Sequence, residues 1–257
     1  MPQTFSAVLL LKRKEWLDPG ELITDLRLLV EQTGADVRLD PRTIHNSEKP
    51  KGILSLFSSQ TPKTIFFELD GVRLRITQHA EPAADERAIH KYINPALWPT
   101  GLGEVTAHRA FIRIDESGIE GEEGPDAIFD RAAAVTATAS VVARLTEPVG
   151  VIWLPASNTV PVPAFREAVT GLLEGVAPLE LWVRWFAVPP GEKEDLSPGV
   201  VTSGFAAFSG RELRMGPSRF QTSELLDNMF ELARRLIDEK LALGNEQRVQ
   251  LADGTVL

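Results

Sequence analysis

Residues 65–76 read Ile-Phe-Phe-Glu-Leu-Asp-Gly-Val-Arg-Leu-Arg-Ile. Ile65, Phe67 and Leu69 alternate with Phe66 and Glu68, and Val72, Leu74 and Ile76 alternate with Arg73 and Arg75. Successive side chains on a strand point to opposite faces, so each run lays an apolar row on one side. Asp70-Gly71 accepts the positive φ angles of a two-residue hairpin turn. Glu68 and the arginines add opposite charges across the pair. The stretch predicts a β-hairpin with one apolar face. Such a face is stable only under a second layer, so the neighbouring segments must supply more strands and covering helices.

Upstream, Phe5–Leu11 (FSAVLLL) is an apolar run of seven residues. A membrane span needs about 20, and Lys12, Arg13 and Lys14 follow the run instead of preceding it, unlike a secretory leader. It reads as a strand buried on both faces. Asp18-Pro19-Gly20-Glu21 predicts a helix start, with Asp18 as cap, Pro19 in the first turn and Glu21 at the capping-box position. Leu22, Leu26, Leu29 and Val30 follow at helical spacing, and Gly34 marks a stop. Residues 38–51 are polar and turn-prone and predict a loop; Ile53–Phe57 predicts a short strand.

Downstream, a short helix is expected around 84–93. Residues 94–103 (NPALWPTGLG) carry two prolines and two glycines and mark the best boundary in the chain. The remainder predicts a strand at 105–114, an acidic loop at 115–126, an alanine-rich helix at 127–145 and a strand at 149–154. A helix then runs from Pro163 to about 174, followed by a central strand at 179–188, strands at 200–208 and 212–215, and a long amphipathic helix at 222–243. A last hairpin is expected about Asp253-Gly254. The order implies an α+β fold, with a mixed, largely antiparallel sheet and packed helices. Both parts open with a strand, a helix and more strands. That leaves open two similar βαβ-type lobes, 1–95 and 104–257, or one integrated domain.

The 257 residues are enough to bury a substantial core without a staple. There is no cysteine, which excludes disulfides, thiol nucleophiles, iron–sulfur clusters and cysteine-held zinc. A net charge of −9 argues against nucleic acid and anionic membranes as partners. A cytoplasmic location is the default expectation. Residues 1–100 carry 13 basic and 13 acidic groups, whereas 101–257 carry 14 basic and 23 acidic ones. The imbalance is densest at 101–130, with eight acidic groups against two basic, and it favours encounter with a basic protein partner.

Taken in order, several segments resemble the bacterial domain-of-unknown-function family 4261. They are AVLLLKRKEWLDPGELITDL, AHRAFIRI, GVIWLPASNTVPVPAFREAV, PLELWVRWFAV and GFAAFSGRELRMG, with the long final helix. The resemblance covers most of the chain. It implies a soluble bacterial protein without an assigned activity, of a kind found near secretion or toxin loci. It supplies no functional residues.

The motifs of chemistry are sparse. Gly101-Leu102-Gly103 lacks the third glycine of a dinucleotide turn, and no Gly-Lys-Ser/Thr phosphate loop occurs, so no cofactor is expected. Ser157, after the strand at 149–154, sits where α/β active sites often lie, but Gly-x-Ser-x-Gly is absent and local backbone bonding explains Ser157-Asn158 equally well. If the strand at 105–114 pairs beside 72–79, His79 and His108 approach one another, and Glu68 or Asp85 would complete a divalent-metal set. Separate strand-end histidines are the plainer reading, and no metal is expected. Trp98 is either an exposed anchor for a partner or a plug between the parts. The acidic segment lacks EF-hand spacing. The leading expectation is therefore non-catalytic protein binding, in a toxin-neutralising or accessory role, through Asp115, Glu116, Glu120, Glu122, Glu123 and Trp98. The alternative is a metal-assisted or serine-type hydrolase using His79, His108 or Ser157.

Overall fold

The computed structural model describes residues 4–31, 34–40, 42–45, 63–83, 93, 98–117, 125–191 and 196–239. In chain order these form β1 (Ser6–Leu11), α1 (Pro19–Val30), β2 (Val37–Leu39), α2 (Arg42–His45), β3 (Lys63–Leu69) and β4 (Val72–His79). Next come α3 (Gly101–Thr106), β5 (Ala110–Glu116), α4 (Pro125–Thr146), β6 (Gly150–Trp153), a single tight turn of helix at Leu154–Ala156, and β7 (Asn158–Pro161). Last come α5 (Val162–Leu173), α6 (Leu179–Trp182), β8 (Arg184–Val188), β9 (Gly199–Ser203), α7 (Ala206–Ser209), β10 (Arg214–Met215) and α8 (Thr222–Asp238). No helix among the described residues is long and apolar enough to cross a membrane.

The hairpin forms as its alternation predicts. β3 and β4 pair antiparallel with Leu69 opposite Val72, and Asp70 (φ 48°) and Gly71 (φ 81°) make the turn. It lies within a seven-stranded sheet of order β2-β3-β4-β5-β1-β6-β7 whose strand pairs are all antiparallel. The one parallel element among the described residues is an isolated bridge between Ile93 and Thr159. β1 sits between β5 and β6, so one sheet crosses the boundary expected at 95–104. This position explains its continuous apolar run: all six residues are buried. Ala7, Leu9 and Leu11 face the main core with Leu74, Ile76, Ile112, Ile114 and Trp153, under α1 and α4. Val8 and Leu10 face the other way, into a second cluster with Trp98, Val105, Val149 and Ile152.

Both helices covering the main face start and pack for local reasons. Asp18 caps α1 by accepting from Gly20 N and Glu21 N, each at 2.9 Å. The alanines of α4, among them Ala132, Ala139 and Ala143, are buried and let the helix approach the sheet closely. A smaller sheet, β10-β9-β8, is covered by α8, with Trp185 stacked on Phe230 at 4.2 Å. The rings of Phe5, Trp153, Trp182 and Phe208 join the two regions, with centroid spacings of 5.1–6.1 Å.

Several boundaries differ from the sequence reading. The run Leu179–Val188 is not a central strand. It splits into a helical turn whose Leu179, Leu181 and Trp182 enter the core, and then an edge strand, β8. Residues 101–106 are helical, so β5 begins only at Ala110. β2 overlaps the start of the expected loop at 38–51 and α2 falls inside it, β9 ends at Ser203, and β7 was not anticipated. The expected strand at 53–57, residues 84–92 of the expected helix and the final hairpin lie outside the described residues, while Ile93 at the end of that helix forms a β-bridge instead.

Candidate functional site

The concave feature with the richest chemistry lies beside β7, at the end of the large sheet. Ser157 adopts a left-handed conformation (φ 51°) and turns the chain from β6 back into β7. Asn158 then donates from Nδ2 to the carbonyls of Glu180 and Leu181, at 2.8 and 3.1 Å. These bonds tie β7 to α6, while Pro161 passes the chain directly into α5. Between the three elements and α8 remains a cleft of about 460 Å³, within the size range of ligand pockets. Its lining is mainly apolar: Trp98, Val160, Pro161, Ala164, Ala168 and Pro178.

Besides the committed Asn158, the polar side chains are few. Thr159 lines the cleft, is 3% exposed, and its hydroxyl has no hydrogen-bond partner. A buried unpaired hydroxyl costs roughly 1–3 kcal/mol, so an incoming donor or acceptor would recover part of that cost. Glu167, Glu180 and Arg234 line the same cleft and are exposed, and none forms an ion pair among the described residues. A second, more open depression of about 310 Å³ runs along α4, where Ala133, Ala134 and Ala137 face Leu172; its acidic residues are Asp70 and Asp130.

The residues singled out from sequence are dispersed. Trp98 is 6% exposed and plugs the second cluster, with its indole also forming a wall of the cleft. Asp115 and Glu116 belong to β5 rather than to a loop, and both are buried. Asp115 accepts from Ser6 Oγ (2.8 Å), Arg113 Nε (2.7 Å) and Arg75 Nη2 (3.0 Å). Burial by itself would raise its pKa; the bonds from Arg113, Ser6 and Arg75 outweigh that and hold it below the usual carboxylate value. Glu116 points to the opposite face, where it meets the buried Arg131 at 2.5 Å. These two carboxylates are thus neutralised inside the fold and do not contribute to an exposed acidic surface. Glu120, Glu122 and Glu123 lie outside the described residues, as does Asp85.

The histidines do not form a reacting pair with Ser157. The His108 ring accepts from Ala83 N at 2.9 Å through Nε2, and its Nδ1 therefore carries the proton and donates to the Val105 carbonyl. Both nitrogens are committed to backbone. His79 stacks on Phe111 at 4.1 Å, and burial lowers its pKa. Glu68 stands opposite Arg73 and Arg38 in the sheet register. Ser157 donates its amide to Leu154, while its carbonyl receives Arg184. No group of three His, Asp or Glu side chains suited to a metal occurs among the described residues.

The cleft itself was missed because Ser157-Asn158 reads as a turn. The β-branched Thr159-Val160 is the signal that could have revealed a strand there. No family model matches the chain, and neither does any curated protein or solved structure.

Proposed function

We propose that the chain is a non-catalytic binding protein that takes an apolar side chain of a partner protein, with a neighbouring lysine or arginine, into the β7 cleft. One observation carries this reading: an apolar cleft holds a buried, unpartnered Thr159 hydroxyl and two carboxylates, Glu167 and Glu180, with no ion-pair partner among the described residues. An apolar body would bury against Trp98 and Val160, and the hydroxyl and carboxylates would receive donors. Arg234 repels a cation, which sets the orientation of the occupant. The surplus acidity of residues 101–257 assists encounter with a basic partner. The commitment of both His108 nitrogens to backbone supports binding over hydrolysis. A toxin-neutralising or accessory role accords with the resemblance to the bacterial family 4261.

The test is selection from a displayed random-peptide library, with the wild-type protein and an Ala164→Trp variant as baits. Ala164 is an exposed wall residue, so the larger ring fills the cleft and leaves the core unchanged. Enrichment of peptides carrying an apolar residue beside Lys or Arg, lost in the variant at unchanged melting temperature, is expected. Enrichment that is acidic, or indifferent to Ala164→Trp, would overturn the reading.

A further inference from the structure

We propose that Arg75, Thr77, His79 and Arg113 form a binding site for a phosphate dianion on β4 and β5, on the sheet face that also carries Thr159 but separated from the β7 cleft by β1 and β6. Leu74, Ile76 and Gln78 of β4 are buried, so the alternate residues Arg75, Thr77 and His79 share the opposite face. The register sets Asp115 opposite Arg75, Arg113 opposite Thr77, and Phe111 opposite His79. All four donor side chains therefore occupy one patch spanning two neighbouring strands.

The carboxylate of Asp115 organises the patch. It is 5% exposed and engages Arg113 Nε with one oxygen and Arg75 Nη2 with the other. One carboxylate thus holds two guanidiniums side by side, with Glu81 as a second carboxylate near the His79 end of the patch. Each guanidinium has five N–H donors, and the carboxylate engages one nitrogen of each. Both side chains are nearly half exposed, at 45% and 46%, so the remaining donors face outward. Their positions are set before any ligand arrives, which lowers the ordering cost of binding. Neither the Thr77 hydroxyl nor the His79 ring has a hydrogen-bond partner among the described residues, and the His79 ring is held flat on Phe111. Glu81, Arg113 and Asp115 all lie near enough to His79 to act on its charge.

The donor count selects the ligand class. A carboxylate offers two oxygens and one charge. Two guanidinium forks, a hydroxyl and an imidazole N–H match the three terminal oxygens and double charge of a phosphate group. These donors address three oxygens, and the fourth is left to carry a substituent. The phosphate can therefore be the free ion or a monoester.

The experiment is a ¹H–¹⁵N NMR titration of the full chain with inorganic phosphate, with phenyl phosphate, and with chloride at matched ionic strength. Saturable shifts of the Thr77 amide and His79 imidazole with a phosphate, and not with chloride, are expected. Saturation by phenyl phosphate identifies a monoester site, and saturation by inorganic phosphate alone identifies a free-ion site. Arg113→Gln should weaken binding about tenfold, as expected for a lost charged hydrogen bond. Because that change also strips Asp115 of a partner, Thr77→Val serves as the second variant. It leaves the Asp115 bonds intact and should weaken binding roughly threefold at unchanged melting temperature. Absence of saturable shifts with either phosphate, or binding unaltered in both variants, would overturn the proposal.

Discussion

Gly101→Ala should destabilise the protein, and the same change should become neutral or stabilising once Trp98 is reduced to leucine. A Cβ at Gly101 would lie 2.5 Å from Trp98 Cδ2 and 2.7 Å from Cγ. Carbon atoms in contact rest about 3.5–4.0 Å apart, so the indole would have to retreat by about 1 Å. Its retreat is blocked at Gly150, where the corresponding Cβ position lies 2.7 Å from Trp98 Cη2. The ring is held between two glycines. Overpacking of this kind costs about 1–3 kcal/mol, while alanine gains roughly 0.5–1 kcal/mol over glycine inside a helix. The expected net loss is centred on about 1 kcal/mol and reaches at most about 2.5 kcal/mol, against a total stability of about 5–15 kcal/mol. In a Trp98→Leu background the overlap vanishes and only the helical gain remains. Urea unfolding of the four proteins, with m-values compared, gives the coupling energy, expected to be at least about 1 kcal/mol. Equal costs of Gly101→Ala in both backgrounds would refute the reasoning.

Three further outcomes follow from the geometry. Gly71→Val forces a β-branched residue to φ 81° and should cost about 1–3 kcal/mol, read as a lower urea midpoint. Asp115 titrates below its ordinary value of 3.8, because the bonds from Arg113, Ser6 and Arg75 overcome the opposing effect of burial. Its ionised form therefore adds stability at neutral pH that fades as pH falls through the lowered folded value, and Asp115→Asn should flatten that acid limb in pH-dependent unfolding. Asn158→Asp replaces a donor to two carbonyls with a charge facing them, and should lower stability by about 3 kcal/mol or more in the same assay.

Elements whose partners are local were legible. The hairpin at 65–76 carries its own turn and its own alternation, and α1 carries its own cap in Asp18. What failed depends on distant partners. FSAVLLL announces burial on both faces, yet nothing in it says that β5 and β6 flank it. Leu179–Val188 is apolar throughout, and a short apolar run does not distinguish a buried helical turn from a strand. Gly101 and Gly103 suggested a loop, whereas Gly101 is small because Trp98 packs on it at the start of α3. Asn158 looked like a turn residue because its true partners, the carbonyls of Glu180 and Leu181, are more than 20 residues away. The same limit governed the sites. Asp115 and Glu116 were counted with an acidic loop, while the arginines that neutralise them come from β4, β5 and α4. Thr159 became notable only when the fold left its hydroxyl buried without a partner.

The central claim is that the β7 cleft is the binding surface, and Trp98 is the probe built into its wall. Labelling with 5-fluorotryptophan gives one ¹⁹F resonance for each of the five tryptophans, assignable by single Trp→Phe substitutions. Titration with an apolar–basic peptide from the selection should shift the Trp98 resonance saturably, while those of Trp16, Trp153, Trp182 and Trp185 stay in place, and Ala164→Trp should abolish the shift. A peptide that binds with the Trp98 resonance unmoved, or that moves Trp16 instead, would contradict the account.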